Sequence, residues 1–455
     1  MDVDTIAALS TAPGRGAVAI VRVSGPDATT VLLRLVPGLR GVPEPRRVTL
    51  ADVFSPHDGS PLDRALVTYF AAPESYTGED VVEFSCHGGT LVPELVLAAA
   101  VEAGARRADP GEFTRRAYLL GKVDLVQAEA VADLIDARSR ALHRAALTQL
   151  EHGLSARVAS LREAVVRIEA LLVHHIDFPE EDEPPVPVSR ILAEAAGVDA
   201  DIGRLLATAP GGELLREGAL AVLAGRPNAG KSSLYNALVG EERAIVTEEP
   251  GTTRDALVAA VELGGFPFRL VDTAGLREGG GQVERLGIEV TRRYLERADV
   301  VLLCVPENEP LSEVERSFVR EIAAVPVVWV RTKADLSGAG TPDGDSSGEA
   351  RRVRVSVCTG QGLDLLRSMM AELVYSGVLV ASPDAPVITR ARHRRGLEAA
   401  RTEIAAFCCA LEVGVSAEVA ASHLRVAESE LEEVLGVVST EGVLDVVFAE
   451  FCVGK

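Results

Sequence analysis

The chain has 455 residues and a formal net charge of −21, and its length suggests about three domains. The acidic charge speaks against a protein that coats nucleic acid with a basic surface, so any RNA must bind a local patch. The six cysteines show no C-x-x-C spacing, which argues against a zinc site and against a disulfide framework.

The first residues do not form a basic segment followed by an apolar core. No uncharged apolar run reaches the ~18 residues that a membrane helix needs. We therefore expect no signal peptide, no membrane partner and a cytoplasmic protein.

The N-terminal third predicts mixed α and β structure. Apolar strands are predicted over residues 17–23 and 81–86, and each contains a single charged side chain, Arg22 in the first and Glu83 in the second. Arg22 can be interpreted as an edge arginine or as an anion contact in a pocket. By itself this third of the chain does not indicate a function.

Long helices are predicted from Asp124, which forms a capping-box pattern with Gln127. Apolar residues from Leu147 to Leu172 recur at spacings of three and four and predict one long amphipathic helix. The helical pattern stops at an acidic, proline-rich stretch and returns after Pro386. The region between the two helical parts is therefore expected to be a domain inserted into a helical domain.

Basic residues cluster where the helical pattern returns. Basic residues in the first turn of a helix oppose the helix dipole, so the local helix structure does not favour this cluster. We consider two interpretations, an anionic partner such as RNA and a solvated surface. The cluster comprises Arg390, Arg392, His393, Arg394 and Arg395.

Residues 225–233 have the spacing Gly, four residues, then Gly-Lys-Ser, between an apolar strand and a helical pattern. The glycines let backbone N–H groups point at a phosphate, Lys231 adds a positive charge and the Ser232 hydroxyl can bind Mg²⁺. The stretch therefore predicts a nucleoside triphosphate site. Its expected nucleotide contacts are Asn228, Ala229, Gly230, Lys231, Ser232 and Ser233.

A second motif follows an apolar strand and comprises Asp272, Thr273, Ala274 and Gly275. Asp272 can hold Mg²⁺ through water, and the Gly275 N–H can meet the γ-phosphate. Thr253, between the two motifs, is expected to be a Mg²⁺ ligand that becomes ordered with the γ-phosphate. Together these features favour a switch GTPase over an ATPase.

Base recognition is predicted at Thr332, Lys333, Ala334 and Asp335. Asp335 can accept two hydrogen bonds from N–H donors of guanine that adenine lacks. GTPases usually carry Asn at the position of Thr332, so we expect one base contact to be altered. A further loop is expected to support the base through a backbone N–H. That loop comprises Ser356, Val357 and Cys358.

The usual water-orienting residue is missing. Ras-like GTPases place Gln directly after the Asp-Thr-Ala-Gly motif, and this chain has Leu276 there. Leucine cannot orient water, so another group must do so. The candidates are Glu278, Gln282, Glu284 and Arg285.

Taken together, these motifs resemble the tRNA modification GTPases of the MnmE/TrmE family, which act on the wobble uridine. The resemblance covers nearly all of the chain, and several of its motifs are found in few other proteins. The matching stretches are residues 13–16, 76–80, 87–89, 110–113, 122–125, 225–233, 251–255, 283–285 and 451–455.

The resemblance implies a multidomain α/β protein with three domains. Residues 1–121 would form a mixed α+β domain that binds folate and dimerises. Residues 122–215 and 377–455 would form a discontiguous helical domain. Residues 216–376 would form the inserted P-loop GTPase domain, whose alternating strands and helices predict a doubly wound, mostly parallel sheet.

The resemblance further implies that four residues contact a tetrahydrofolate derivative in its 5-formyl or methylene form, namely Arg22, Glu83, Lys122 and Lys455. A purely structural salt bridge between Arg22 and Glu83 is the alternative. Cys452 can likewise be a packed thiol or a group near the folate.

In the family a K⁺ ion lies beside the phosphates, where it neutralises charge that develops in the transition state. The matching residues are the Asn228 side chain and the backbone carbonyls of Thr247, Glu249 and Thr252. Glu284 matches the glutamate that positions the attacking water. The GTP contacts expected in the same loop are Thr247, Glu248, Glu249, Pro250, Gly251, Thr252 and Thr253.

The implied protein is a homodimeric, K⁺-dependent GTP hydrolase that binds tRNA and joins a flavin-dependent partner of the MnmG/GidA type in a hetero-oligomer. It would use the folate-borne carbon to add a C5 aminomethyl-type group to the wobble uridine. Two alternatives are a ribosome-assembly switch GTPase without modification chemistry and a stand-alone folate-dependent transferase with a regulatory GTPase.

Overall fold

The computed structural model describes residues 4–177, 186–240, 258–272, 294–310, 312–322, 325–336, 351–380, 385–437 and 441–455. The chain divides into two compact units. The first comprises Met1–Ala132 and Glu432–Lys455, and the second comprises Asp133–Leu431. The domain boundaries predicted from the sequence stay a prediction.

The first unit is built on a six-stranded sheet with strand order β3-β4-β5-β2-β1-β6. Alternate residues of β2, such as Val21 and Val23, are buried against α1 and α2, as expected for a sheet covered on one face. The strands are β1 (Ile6–Leu9), β2 (Val18–Ser24), β3 (Thr49–Phe54), β4 (Pro61–Phe70), β5 (Val81–His87) and β6 (Arg106–Arg107). Its helices are α1 (Ala28–Leu35), α2 (Val92–Glu102), α3 (Glu112–Leu119), the first part of α4 (Leu125–Asp136) and α14 (Glu441–Ala449).

The second unit contains another six-stranded sheet, with strand order β12-β11-β10-β7-β9-β8. Every neighbouring pair is parallel except β8 with β9, so the predicted mostly parallel sheet is confirmed. The first six residues of β7 are all buried, which explains their uninterrupted apolar sequence. The strands are β7 (Ala219–Gly225), β8 (Val258–Leu263), β9 (Phe266–Asp272), β10 (Val300–Pro306), β11 (Val327–Thr332) and β12 (Arg352–Arg354).

Helices surround this sheet and continue beyond it in the same unit. They are the second part of α4, α5 (Arg140–Leu150), α6 (Gly153–Asp177), α7 (Val188–Leu206), α8 (Ala209–Glu217), α9 (Lys231–Gly240), α10 (Glu313–Glu321), α11 (Leu363–Val380), α12 (Ala391–Glu412) and the first part of α13 (Ala417–Leu435). Within the described ranges, every helix is too short or too polar to span a bilayer.

The prediction of one long helix through Leu147 and Leu172 is wrong. Helix α5 ends at Leu150, and α6 begins at Gly153 after His152, whose φ of 68° is left-handed. A Cβ at Gly153 would lie 2.7 Å from the Thr148 carbonyl oxygen, so the close approach at this break requires glycine. The apolar spacing stays in phase across the break, which is why the pattern cannot show it.

The predicted capping box at the start of α4 is confirmed. The Asp124 backbone N–H donates to Gln127 Oε1 at 3.0 Å, and the Gln127 N–H donates to Asp124 Oδ1 at 2.8 Å. This reciprocal pair satisfies two backbone donors at the helix end.

The basic cluster at the start of α12 is partly internal. Arg390 is buried and donates to Asp133 at 2.7 Å, and Arg394 donates to Glu213 at 2.7 Å. Both sequence interpretations, a solvated surface and an anion patch, are therefore wrong for Arg390. A buried charge needs a close partner of opposite sign, and Asp133 supplies it from a distant part of the sequence.

Candidate nucleotide and folate sites

The phosphate-binding loop connects β7 to α9. Gly225 ends the strand with φ 139°, and a Cβ there would overlap the Cys304 carbonyl oxygen, so this position requires glycine. The Lys231 ammonium donates to the carbonyl oxygens of Gly225 at 2.9 Å and Arg226 at 2.7 Å, and the residue is only 6% exposed. These bonds hold the positive charge over the loop, where it can neutralise a phosphate.

Two oxygen ligands meet beside this loop. The Ser232 hydroxyl donates to Asp272 Oδ2 at 2.7 Å, and Asp272 is buried at the end of β9, the sheet neighbour of β7. A hydroxyl and a carboxylate at the start of a phosphate-binding helix are the hard oxygen donors that Mg²⁺ prefers. The residues present therefore fit a Mg²⁺ ion bound together with nucleotide phosphates.

The base-recognition loop is attached to the phosphate loop. Thr332 Oγ1 donates to the Ala229 carbonyl oxygen at 2.7 Å, and Lys333 Nζ donates to the Asn228 carbonyl oxygen at 3.0 Å. The sequence predicted that Thr332 alters a base contact. The structure uses its hydroxyl to hold the phosphate loop.

The two predicted guanine loops also contact each other. The buried Ser356 hydroxyl donates to Asp335 Oδ1 at 2.6 Å, so one carboxylate oxygen is fixed before any base is bound. Of the other residues in these loops, Ala334 is buried, whereas Val357 and Cys358 are exposed. This arrangement fits the predicted role of Asp335 as an acceptor for two N–H donors.

Several predicted site residues lie outside the described residues. They are Thr247, Glu248, Glu249, Pro250, Gly251, Thr252, Thr253, Thr273, Ala274, Gly275 and Glu284, and the alternatives Leu276, Glu278, Gln282 and Arg285. Their roles stay predictions.

One group beside the site was missed by the sequence reasoning. Arg226, inside the phosphate loop, donates from Nε to Glu315 Oε1 at 2.8 Å, and Glu315 is 4% exposed. The two residues are far apart in sequence, and no motif signals the pairing.

A second set of predicted residues lies in the first unit. Arg22 and Glu83 occupy paired positions on β2 and β5, and Arg22 donates to Glu83 Oε1 from Nε at 2.9 Å and from Nη2 at 2.8 Å. The rings of Tyr76 and Phe113 lie 5.5 and 5.7 Å from the guanidinium carbon. The structure therefore contains the Arg22–Glu83 salt bridge that the sequence analysis gave as the alternative to a ligand contact. Two aromatic rings lie beside it.

Lys455 lies near this pair. Burial lowers its pKa, and the Arg22 charge lowers that pKa further while Glu83 raises it. The final residues are held against β1 and α3, because Ser10 Oγ donates to the Gly454 carbonyl oxygen at 3.1 Å and the Phe113 N–H donates to the Lys455 carbonyl oxygen at 3.2 Å. The fourth predicted residue, Lys122, donates to the Pro73 carbonyl oxygen at 2.9 Å.

Cys452 is exposed, so the interpretation of a packed thiol is wrong. Its backbone carbonyl oxygen accepts the Gly111 N–H at 3.4 Å, which fixes the position of the chain while the side chain remains accessible.

The mostly parallel sheet, the Gly-x₄-Gly-Lys-Ser loop, the Ser232–Asp272 pair and Asp335 define a P-loop GTPase that binds GTP with Mg²⁺. Two family descriptions match the chain, "GTP-binding protein TrmE N-terminus" over residues 5–122 and "MnmE helical domain" over residues 125–452. The chain belongs to the MnmE family of tRNA modification GTPases.

Relatives described as tRNA modification GTPase MnmE match over nearly their whole length. The protein from Heliobacterium modesticaldum is 42% identical over 463 residues, with 99% of each chain covered. The protein from Moorella thermoacetica is 41% identical, again with 99% of each chain covered. The protein from Azoarcus sp. is 43% identical, with 99% of this chain and 98% of the relative covered.

Proposed function

We propose that this chain is a K⁺-dependent GTP hydrolase that installs a carboxymethylaminomethyl-type group at C5 of the wobble uridine in certain tRNAs. It would act in the cytoplasm as a homodimer, with a flavin-dependent partner protein and a tetrahydrofolate one-carbon donor. Full-length similarity to relatives named tRNA modification GTPase MnmE supports the tRNA substrate. The observation that carries the folate chemistry is the grouping of Arg22, Glu83 and Lys455.

This group has the chemistry that a reduced folate needs. A pterin ring presents N–H groups that can donate hydrogen bonds to a carboxylate such as Glu83. The glutamate tail of folate carries carboxylates and needs cationic partners. Arg22 Nη1 is buried and makes no hydrogen bond to any described residue, so it retains a donor for a ligand. Burial disfavours the charged form of Lys455, and an anionic ligand would offset that effect.

The homodimer is supported by the uncovered face of the first sheet. Val18, Leu50 and Leu66 are 57%, 56% and 45% exposed. The strand register places them on the same face as Arg22 and Glu83. Exposed apolar side chains grouped on one sheet face are typical of a protein interface, and a two-fold dimer would use the same face twice.

The K⁺ site is proposed at Asn228, which has a left-handed φ of 60° in the phosphate loop. Its backbone oxygen is held by Lys333, so its side chain can be directed independently toward a cation. With Leu276 in place of a water-orienting glutamine, we assign that task to Glu284. GTP turnover should then require K⁺, and Glu284→Ala should abolish turnover while GTP binding persists.

The decisive experiment is mass analysis of wobble nucleosides in tRNA from cells that lack this protein, with and without re-expression. We expect the C5 modification to disappear and to return with the wild-type chain. Unchanged wobble nucleosides would contradict the proposal and would favour a ribosome-assembly GTPase. Modification by the purified chain without the flavoprotein would instead favour a stand-alone transferase.

Folate binding is tested separately on the full-length protein with 5-formyltetrahydrofolate. We expect Arg22→Gln to weaken binding strongly, whereas Arg47→Gln, which removes a solvent-exposed pair with Glu44, should leave it unchanged. Equal folate affinity in both variants would support a purely structural role for Arg22.

A further inference from the structure

A cluster of charged residues connects the phosphate loop to the guanine-recognition loops. None of these charged residues is a predicted nucleotide contact. The centre of the cluster is residues 307–310, directly after β10, which we call the bridge segment. The Glu307 N–H donates to the Thr332 carbonyl oxygen at 2.8 Å. Arg331 donates to the backbone oxygens of Glu307 at 3.1 Å and Glu309 at 3.0 Å. The bridge segment is therefore fixed to the end of β11, where the base motif begins.

The Glu307 side chain ties two base-recognition strands together. Its carboxylate lies 3.0 Å from Arg354 Nε and 3.5 Å from Arg331 Nε, and it is mostly buried. Arg331 directly precedes Thr332, and Arg354 lies two residues before Ser356. One carboxylate thus links the two strands that precede the guanine loops.

The phosphate loop reaches the same segment through Arg226. Its guanidinium lies 3.0 Å from Glu309 Oε2, donates to the Pro310 carbonyl oxygen at 3.4 Å and donates to the buried Glu315 at 2.8 Å. Glu315 also completes the capping box of α10 with Ser312. The planar guanidinium fork can satisfy these acceptors together, as a lysine cannot.

The backbone of Arg226 has a further role at the phosphate site. Its carbonyl oxygen accepts the hydrogen bond from Lys231 Nζ at 2.7 Å. A shift of Arg226 would therefore move a carbonyl that holds the phosphate-binding lysine. The same shift would release the bridge segment from the phosphate loop.

We propose that Arg226 is a positioning residue that couples the phosphate loop to the guanine-recognition loops through the bridge segment. The coupling makes discrimination at the base depend on a side chain that touches neither base nor phosphate. Loss of Arg226 leaves Glu315 as a buried carboxylate without this cation, which favours rearrangement of α10 and of the bridge segment. Thr332 and Asp335 then lose one of the supports that align them with the phosphate loop, and only the direct bonds from Thr332 to Ala229 and from Lys333 to Asn228 remain.

The test compares the affinities of the full-length protein for GDP and inosine diphosphate. Hypoxanthine lacks the 2-amino group of guanine, so the ratio of the two affinities reports how well Asp335 is aligned. We expect Arg226→Ala to weaken GDP binding more than inosine diphosphate binding and to reduce the ratio by about fivefold or more. Arg320→Ala is the matched control, because Arg320 forms an exposed pair with Glu313 on the same helix α10, and it should leave the ratio unchanged.

Two further variants separate coupling from local damage. Arg226→Lys keeps the charge but loses the fork, so it should fold and show a smaller reduction of the ratio. Glu307→Gln should also reduce the ratio of the GDP and inosine diphosphate affinities, because it weakens the link between the strands that precede the two guanine loops. Its effect should not add to that of Arg226→Ala, because both act through one segment. Equal weakening of both diphosphates in Arg226→Ala and Arg226→Lys, or full additivity with Glu307→Gln, would overturn the proposal.

Discussion

Thr332 Oγ1 donates a 2.7 Å hydrogen bond to the carbonyl oxygen of Ala229, and this bond joins the base-recognition loop to the phosphate loop. Both residues are buried. A threonine hydroxyl can bridge these loops. It cannot also replace the asparagine carboxamide that GTPases usually have at this position, because the threonine side chain is too short. In this chain the hydroxyl at this position therefore attaches the base-recognition loop to the phosphate loop.

Removal of that hydroxyl should loosen the site. Thr332→Val keeps the shape and leaves the Ala229 oxygen buried without this donor, so we expect the free energy of unfolding to fall by ~1–3 kcal/mol and GTP binding to weaken. Urea unfolding and nucleotide titration measure the two effects. Thr332→Ser retains a hydroxyl and should stay close to wild type. A valine variant with unchanged stability and affinity would contradict the assigned role.

The proposed K⁺ ligand can be tested without disturbing the backbone. Asn228 has φ 60°, a conformation that glycine adopts without strain, so Asn228→Gly removes the side chain and preserves the loop. We expect GTP binding to persist and the stimulation of hydrolysis by K⁺ over Na⁺ to disappear. Turnover in each salt is the measurement. A glycine variant that still prefers K⁺ would exclude Asn228 as a side-chain ligand.

Asp133 should be important for the stability of the second unit. Its buried carboxylate lies 2.7 Å from Arg390, just before α12, and 3.2 Å from Arg216, at the end of α8. Asp133→Ala leaves a buried arginine without this counter-charge, so we expect a loss of about 3–5 kcal/mol in urea unfolding. Glu313→Ala, which removes one carboxylate of an exposed pair with Arg320 in the same unit, should cost little. Equal effects of the two changes would contradict this role.

The acidic network at the start of α3 should make the first unit sensitive to acid. Burial raises the pKa of Glu112, but hydrogen bonds from Arg106, the Asp109 N–H and Arg116 outweigh burial and bring that pKa below its usual 4.5. Because the folded pKa is lower than the unfolded one, the stabilisation is present above about pH 4.5 and is lost as pH falls through the folded value. Calorimetry should show Arg106→Gln less stable than wild type near neutral pH, with the difference shrinking in acid. A difference that does not change with pH would contradict this reasoning.

The sequence determined the features that depend on residues close together along the chain. Phosphate binding at residues 225–233, the capping box at Asp124 and Gln127, and the alternation that predicts a parallel sheet all follow from local spacing. Asp335 indicated guanine for the same reason, because its chemistry is set by the motif around it. These features need little knowledge of distant neighbours.

Tertiary structure alone decided how charges pair and where long helices stop. The partners Arg226 with Glu315 and Arg390 with Asp133 lie far apart in sequence, and a list of charged residues does not say which of them meet. Such pairs depend on which strands and helices become neighbours, and only burial makes a particular partner necessary. The break at His152 escaped detection because the apolar spacing continues in phase on both sides of it.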